Sequence, residues 1–280
     1  MKMKFIKPFV MVTIAAFAMI ACDRDERFLP GTEEEEEQTL ESAAVSEEAS
    51  DDALEVVALA ESEIAASGRW ANAICAEITK DIDHKTITLD FGEGCTDPYG
   101  RERSGKIIVA YSHIVGDSLS NRIITFEDYY VNNKQLKGAI ELRDIERNDA
   151  GNLQSTKKMV DLKVIFPNGK YVMFNGSRTR ELLSGYADND LSNNVYRITG
   201  SVSGQSTTGR TFKHEITTPI ISNWACAAEG NFARVSGVVE MTTLGGYVSR
   251  TRVVNYGDGS CDNRITVTTF RRTYDVTVQN

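Results

Sequence analysis

Apolar and polar residues alternate through most of the chain after Trp70, in short stretches separated by Gly, Asn and Asp. Alternation with a period of two is typical of β-strands that bury one face, and turn residues between the stretches favour hairpins. The pattern predicts an all-β body at residues 68–280, an antiparallel hairpin meander that forms a sandwich, an open barrel or an extended curved sheet. The predicted strands are 75–80, 86–91, 105–112, 122–131, 137–147, 156–166, 170–179, 194–203, 211–221, 232–243, 246–256 and 264–278.

A weak internal repeat accompanies this alternation. Four glycines each lead an alternating run, at Gly105, Gly138, Gly200 and Gly237, and Gly176 divides the longest interval between them. Recurrence at a fixed spacing indicates a structural unit used several times, so each run is predicted to be one hairpin.

Before the β body the apolar spacing changes to that of a helix. Residues 51–67 place Ala53, Val57, Ala60 and Ile64 on one face, with Ser50 or Asp51 as a predicted N-cap and Gly68 after the end. The apolar face is narrow and rich in Ala. The sequence thus predicts a short amphipathic helix and leaves its docking onto the body open.

Charge divides the chain into two parts. Residues 23–67 carry 16 Asp and Glu against two Arg, whereas residues 68–280 carry 26 Lys and Arg against 24 Asp and Glu. The acidic residues 22–50 contain too few apolar side chains to offset the entropy of ordering, so they are predicted to be a disordered tether. The nearly neutral body has no basic stripe, which argues against nucleic acid as a partner.

The N-terminal residues have the pattern of an export signal. Lys2, Lys4 and Lys7 precede an uncharged apolar run at 9–21 that is too short to span a bilayer as a helix, so 1–21 is predicted to be a signal peptide. The run ends in Met19-Ile20-Ala21-Cys22, which resembles the lipobox of bacterial lipoproteins. That resemblance implies a diacylglyceryl group on Cys22, and two acyl chains anchor a protein stably to a membrane.

Four cysteines follow Cys22, and an even number in an exported chain indicates two disulfides. Proximity in sequence favours Cys75 with Cys95 and Cys226 with Cys261, without excluding the crossed pairings. A zinc site would need closely spaced ligand pairs, which the sequence lacks, so we predict no metal and no cofactor.

No catalytic motif emerges from the sequence. His214 and Glu215 are neighbours that point to opposite faces of a strand, and Ser201 lies one residue off the spacing of a nucleophile elbow. We therefore expect a protein that is not an enzyme, although a hydrolase whose residues are scattered over several strands stays open. Asp117-Ser118-Leu119 resembles a short O-glycosylation signal of Bacteroidetes secreted proteins, which makes Ser118 a candidate glycan site.

Four segments lie around the first two body cysteines: Ala73-Ile74-Cys75-Ala76-Glu77, Thr86-Ile87-Thr88-Leu89-Asp90-Phe91-Gly92, Gly94-Cys95-Thr96-Asp97 and Arg103-Ser104-Gly105-Lys106-Ile107-Ile108. Together they are similar to a group of uncharacterised Bacteroidetes-type lipoproteins with an acidic N-terminal tether and a β-rich body. The resemblance covers residues 71–112, and it implies a location and a disulfide but no chemistry. The acidic start after Cys22, Asp23-Arg24-Asp25-Glu26, resembles the surface-export signal of such lipoproteins.

These observations lead to an expected function defined mainly by location. We expect a lipid-anchored protein of the outer membrane or cell surface, or alternatively of the periplasmic face of the inner membrane. Its expected role is structural or ligand-binding, with an apolar small molecule, a glycan or a protein as partner. The alternatives are a hydrolase and an adhesion or glycan-binding module, for which Trp70, Trp224, Tyr99, Tyr129 and Tyr130 are the candidate aromatics.

Overall fold

A computed structural model describes residues 33–65, 74–115, 119–185, 190–244 and 250–278. These residues form one long helix, one antiparallel sheet and one short helix. The helices are α1 (Glu33–Ala65) and α2 (Trp224–Ala228), with a 3₁₀ turn at Leu191–Asn193. The strands are β1 (Glu77–Asp81), β2 (Thr86–Asp90), β3 (Cys95–Thr96), β4 (Glu102–Tyr111), β5 (Arg122–Val131), β6 (Lys134–Arg147), β7 (Leu153–Ile165), β8 (Tyr171–Ser184), β9 (Val195–Ser206), β10 (Thr211–Asn223), β11 (Arg234–Leu244), β12 (Arg250–Asp258), β13 (Arg264–Thr268) and β14 (Thr273–Thr277).

The sheet is a single meander. Each strand pairs with the next in the chain, except that the two-residue strand β3 lies off the path and pairs with β4. The prediction of an antiparallel all-β meander is confirmed. One predicted strand is wrong, because residues 264–278 form the hairpin β13–β14 around a turn at Thr269–Arg272 instead of one long strand.

The sheet curves around α1. Side chains from Ala43 to Glu61 are buried on all sides of the helix except for Ala58, which is partly buried, and their partners come from strands β4 to β11. The inward residues of the strands, such as Ile107, Ile124 and Phe174, are fully buried and belong to the same core as Leu54 and Val57 of the helix. The core of the β body is therefore built around the helix.

The helix differs most from the sequence-based expectation. It was predicted to start at residue 51, yet it begins at Glu33, so a disordered tether up to residue 50 is wrong for residues 33–50. The part of the predicted tether at 22–32 lies outside the described residues, as does the predicted helix end at Gly68. The reason for the error is physical: Glu47 of this segment pairs with basic side chains of the sheet, and Ala43, Ala44 and Val45 are buried in the core, which the sequence of the segment alone does not reveal.

Glycines of the internal repeat explain how the sheet bends. Gly105 and Gly138 both have positive φ, at 77° and 96°, and each lies opposite an aspartate backbone, at Asp128 and Asp161, that a Cβ atom would strike. The register shifts at both glycines, between Ser104 and Lys106 and on either side of Gly138. Such bulges increase strand twist and bend, so the repeat marks the points where the sheet turns around the helix.

Two cysteine pairs fasten irregular segments to the sheet. Cys75 before β1 is joined to Cys95 of β3, and Cys226 of α2 is joined to Cys261 between β12 and β13, with Cα–Cα distances of 5.9 and 5.3 Å. The pairing favoured by proximity is confirmed. Within the described part of the chain, no helix is both long and apolar enough to cross a membrane.

Candidate functional site

The acidic face of α1 meets a set of basic side chains on the inner face of the sheet. Glu47 is surrounded by Arg178 of β8, His214 of β10 and Arg234 of β11, at oxygen–nitrogen distances of 3.1, 3.0 and 2.9 Å. Burial would raise the pKa of Glu47, but the two guanidinium groups and the hydrogen bond with His214 outweigh it and hold that pKa well below its ordinary value. Glu47 is thus a buried carboxylate that stays ionised.

One turn further along the helix, Asp51 repeats this arrangement. Its carboxylate accepts from Lys157 Nζ of β7 at 2.7 Å and from Arg234 Nη2 at 3.0 Å. Although burial opposes ionisation, these cations lower the pKa of Asp51 to about 2. Lys157 also donates to Ser50 Oγ. Ser50, Asp51, Lys157 and Arg234 therefore form one buried network.

Asp52 faces a different part of the sheet. Both of its oxygens accept from Arg103 of β4, at 2.6 and 3.0 Å, and Arg101 approaches Oδ1 from the loop before β4. Arg103 in turn donates to Asp97 and to the Tyr129 hydroxyl. A bidentate guanidinium–carboxylate pair is directional as well as strong, so this contact fixes the rotation of the helix in the sheet.

The C-terminal half of the helix continues the pattern. Glu55 accepts from Arg180 of β8, from Asn194 and from the Tyr196 hydroxyl, and Glu61 accepts from the Tyr111 hydroxyl at 2.7 Å. Breaking a buried pair by removing one partner typically costs 3–5 kcal/mol, because an uncompensated charge stays buried. The position of the helix in the sheet is therefore fixed by pairs in which neither partner can be replaced alone without a large loss of stability.

Glu48 is the exception among these buried acids. Its Oε1 accepts from the Ala233 backbone N–H at 3.3 Å, whereas its Oε2 has no hydrogen-bond partner in the part of the chain that the structure describes. Burial raises the pKa of Glu48 to about 8, so its carboxyl group is mainly protonated at neutral pH. A protonated carboxyl is a hydrogen-bond donor as well as an acceptor.

Glu48 borders a cavity of about 230 Å³ formed by four separate elements. The loop before β4, the β5–β6 turn and α2 come together over the helix at this point, and Arg101 stacks on the Trp224 ring with 5.0 Å between guanidinium carbon and ring centre. The lining residues are Val45, Glu48, Ala49, Asp52, Tyr99, Gly100, Arg101, Val131, Asn132, Lys134, Ala227 and Gly230. The cavity lies where the segment between β3 and β4 meets the segment after β10, so it depends on the complete wrapping of the sheet.

Lys134 of β6 supplies the unpaired cation of this cavity. Its ammonium group makes no side-chain hydrogen bond or ion pair within the described residues, and it senses Glu48 and Asp52 only at longer range. Burial lowers the pKa of Lys134 despite those two acids. Because Asp52 already pairs with two arginines, the groups at the cavity that are left to bind a ligand are mostly hydrogen-bond donors.

The residues predicted from the sequence do not form this site. Cys22 and Ser118 lie outside the described residues, and the four body cysteines hold the fold without lining the cavity. His214 is buried between Phe212 and Glu47, while Ser201 and Glu215 are exposed. The fold therefore does not bring the catalytic candidates His214, Ser201 and Glu215 together in one site.

The aromatic residues considered for glycan binding are also divided. Trp70 lies outside the described residues, Trp224 and Tyr129 are buried, and Tyr130 is partly exposed. Of the four candidates that the structure describes, Tyr99 alone lines the cavity. The sequence alone did not single out Glu48, Arg101 and Lys134 as site residues. The only signal for the site was that basic residues occur near inward strand positions.

Comparisons with protein-family models, with curated proteins and with solved structures find no match to this chain.

Proposed function

We propose that the chain is an exported, lipid-anchored protein without catalytic activity, whose β body is fastened to its anchor through α1. The diacylglyceryl group would sit on Cys22, eleven residues before the helix begins at Glu33. In this role the body is a structural or ligand-binding module of the outer membrane or cell surface. The helix makes the attachment firm where a disordered tether would leave it loose.

The burial of α1 within the sheet carries this proposal. Five acidic residues of the helix, Glu47, Asp51, Asp52, Glu55 and Glu61, each accept from basic or hydroxyl groups of the strands. Apolar residues of the same helix belong to the core of the sheet. A pull on the anchor would therefore act on the interior of the body.

The helix also bears on the idea of an apolar carrier. A carrier needs a concave apolar space, and in the described residues that space holds Leu54, Val57 and Leu59 of α1. Binding of an apolar molecule in the middle of the sheet would require the helix to leave. This favours the structural role over carriage of a large apolar ligand.

The test separates the chain between helix and sheet. A protease site inserted after Gly68 is cut in membranes from cells that make the full chain, and the fractions are then probed for the β body. We expect the body to stay with the membrane after cutting, at low and at high salt, because buried ion pairs are screened little. Release of the body into the soluble fraction would contradict attachment through the helix.

The anchor is tested by a second variant. Cys22→Ala should move the whole uncut chain out of the membrane fraction, and it should remove labelling by a radioactive fatty acid. A Cys22→Ala chain that stays membrane-bound would refute the anchor and leave the helix result standing. The two parts of the proposal therefore fail separately.

A further inference from the structure

The polar cavity beside α1 has features of a ligand site that the structural role does not use. Among the residues that the structure describes, a buried carboxyl oxygen of Glu48 and the ammonium group of Lys134 have no hydrogen-bond partner. The Glu48 oxygen is the unusual one of the two, because buried polar atoms are normally satisfied, whereas Lys134 is only partly buried. Something that accepts hydrogen bonds would satisfy both.

The charge at the cavity limits what can enter. Arg101 and Lys134 are cationic and Asp52 is anionic, while Glu48 is uncharged when protonated, so the lining carries one net positive charge. A single negative charge balances this lining. A doubly charged phosphate would gain less, since it would also face the Asp52 carboxylate across a cavity this small.

The remaining walls describe the rest of the ligand. Val45, Ala49, Val131 and Ala227 are small and apolar, and the volume of about 230 Å³ is below the roughly 300–1,000 Å³ of pockets for drug-sized molecules. An organic molecule of a few carbon atoms fits this space. Its apolar part would lie against these four side chains while its charged end faces Lys134.

We propose that this cavity binds a small monocarboxylate, held by Lys134 and Glu48 with its short carbon chain against Val45, Ala49, Val131 and Ala227. The carboxylate accepts from the Lys134 ammonium and from the Glu48 carboxyl proton. Asp52 stays bound to its arginines and does not take part.

Protonation of Glu48 gives this site a distinctive pH dependence. Above a pH of about 8 the carboxyl ionises and repels an anionic ligand, so affinity should fall there. The charged groups acting on Glu48 are Lys134 of β6, Arg101 of the loop before β4, Arg234 of β11, and Asp51 on its own helix. Arg234 has a pKa held well above its ordinary value and Asp51 has one lowered to about 2, so neither of these two groups titrates near pH 8.

The experiment measures binding of butyrate to the full chain in detergent by calorimetry, with phosphate, succinate and glucose as the other probes. Butyrate should bind at millimolar concentration or below, more tightly than succinate or phosphate, and glucose should not bind. Lys134→Met should weaken butyrate binding roughly tenfold or more, as expected for loss of a charged hydrogen bond. The matched control is Lys137→Met, an exposed lysine on the same strand that does not line the cavity.

Glu48→Gln separates binding from folding. The amide still donates a hydrogen bond but cannot ionise, so butyrate binding should persist and should no longer weaken above pH 8. The proposal is overturned if butyrate does not bind, if phosphate binds more tightly than butyrate, or if Lys134→Met and Lys137→Met bind alike. Because membrane attachment is not measured here, these outcomes leave the proposed structural role untouched.

Discussion

Glu47 and Glu48 are neighbours on one helix, both buried, and yet their carboxyl groups are in opposite states. Glu47 has two arginines and a histidine within hydrogen-bond distance and a strongly lowered pKa, whereas Glu48 has one backbone N–H and a pKa raised to about 8. The burial of the two residues is similar, at 4% and 8% exposed. The number of partners, and not depth, therefore decides which face of α1 is charged.

The contrast separates the helix into two functional faces. The face with Glu47, Asp51 and Glu55 is fully paired and holds the sheet in register. The face with Glu48 is incompletely paired and borders the cavity. A protein gains nothing in stability from the second arrangement, which is why we assign that face to binding.

Removing a partner from the paired face should have the largest effect. Arg234→Met takes away the guanidinium shared by Glu47 and Asp51, and we expect the free energy of unfolding to fall by about 3–5 kcal/mol in urea titrations. The matched control is Arg264→Met, which breaks an exposed pair with Asp275 and should cost at most about 1 kcal/mol. Equal losses in the two variants would mean that the paired face does not hold the fold.

Changing Glu48 should have a smaller effect of the opposite sign. In the folded protein its pKa is about 8, above its value of 4.5 when unfolded, so folding takes up a proton between these two pH values. The contribution of Glu48 to stability should therefore fall as pH rises from 4.5 to 8, and Glu48→Gln should remove that decline. We expect the variant to be more stable at pH 8 by at least about 1 kcal/mol, since a shift of a single unit already corresponds to about 1.4 kcal/mol.

Unfolding curves recorded between pH 5 and pH 8 check this prediction. Glu215→Gln is the control, because Glu215 is an exposed carboxylate on β10 and its replacement should leave the pH dependence as it is. If the parent protein and Glu48→Gln show the same decline, Glu48 is ionised in the fold and the contrast with Glu47 disappears.

The smallest effect on stability is expected at Lys134. Since its ammonium group has no ion pair or side-chain hydrogen bond among the described residues, Lys134→Met should change the free energy of unfolding by only about 0.5 kcal/mol. Thermal unfolding without ligand measures this. A loss of several kcal/mol would show that Lys134 belongs to the paired network and would remove the reason to regard it as a ligand-binding group.

Much of the sheet could be predicted from the sequence, because strand alternation and turn residues are local signals. Strand β5 (Arg122–Val131) was predicted with its exact bounds, and Gly105 and Gly138 already stood out as a repeat. The split of the last strand was missed because Thr269–Arg272 contains no Gly, Pro or Asn to indicate a turn.

The helix and the cavity could not be predicted in this way, since they depend on contacts between distant residues. Arg178 and Arg180 lie on the same face of β8 as the buried Phe174, so two basic residues at inward positions were a signal that the core contains acids. Their partners are more than one hundred residues away in sequence. Only knowledge of the wrapped sheet joins these residues to the acidic segment.

The length of these connections has a consequence for how the chain folds after synthesis. Glu47 and Arg234 are separated by 187 residues, so the helix meets its last cation only when most of the chain has emerged. Contacts this distant in sequence slow folding, because a large loop must close before they form. During that delay the acidic helix stays well solvated. The repulsion between its negative charges opposes aggregation of the folding intermediate until the last strands have formed.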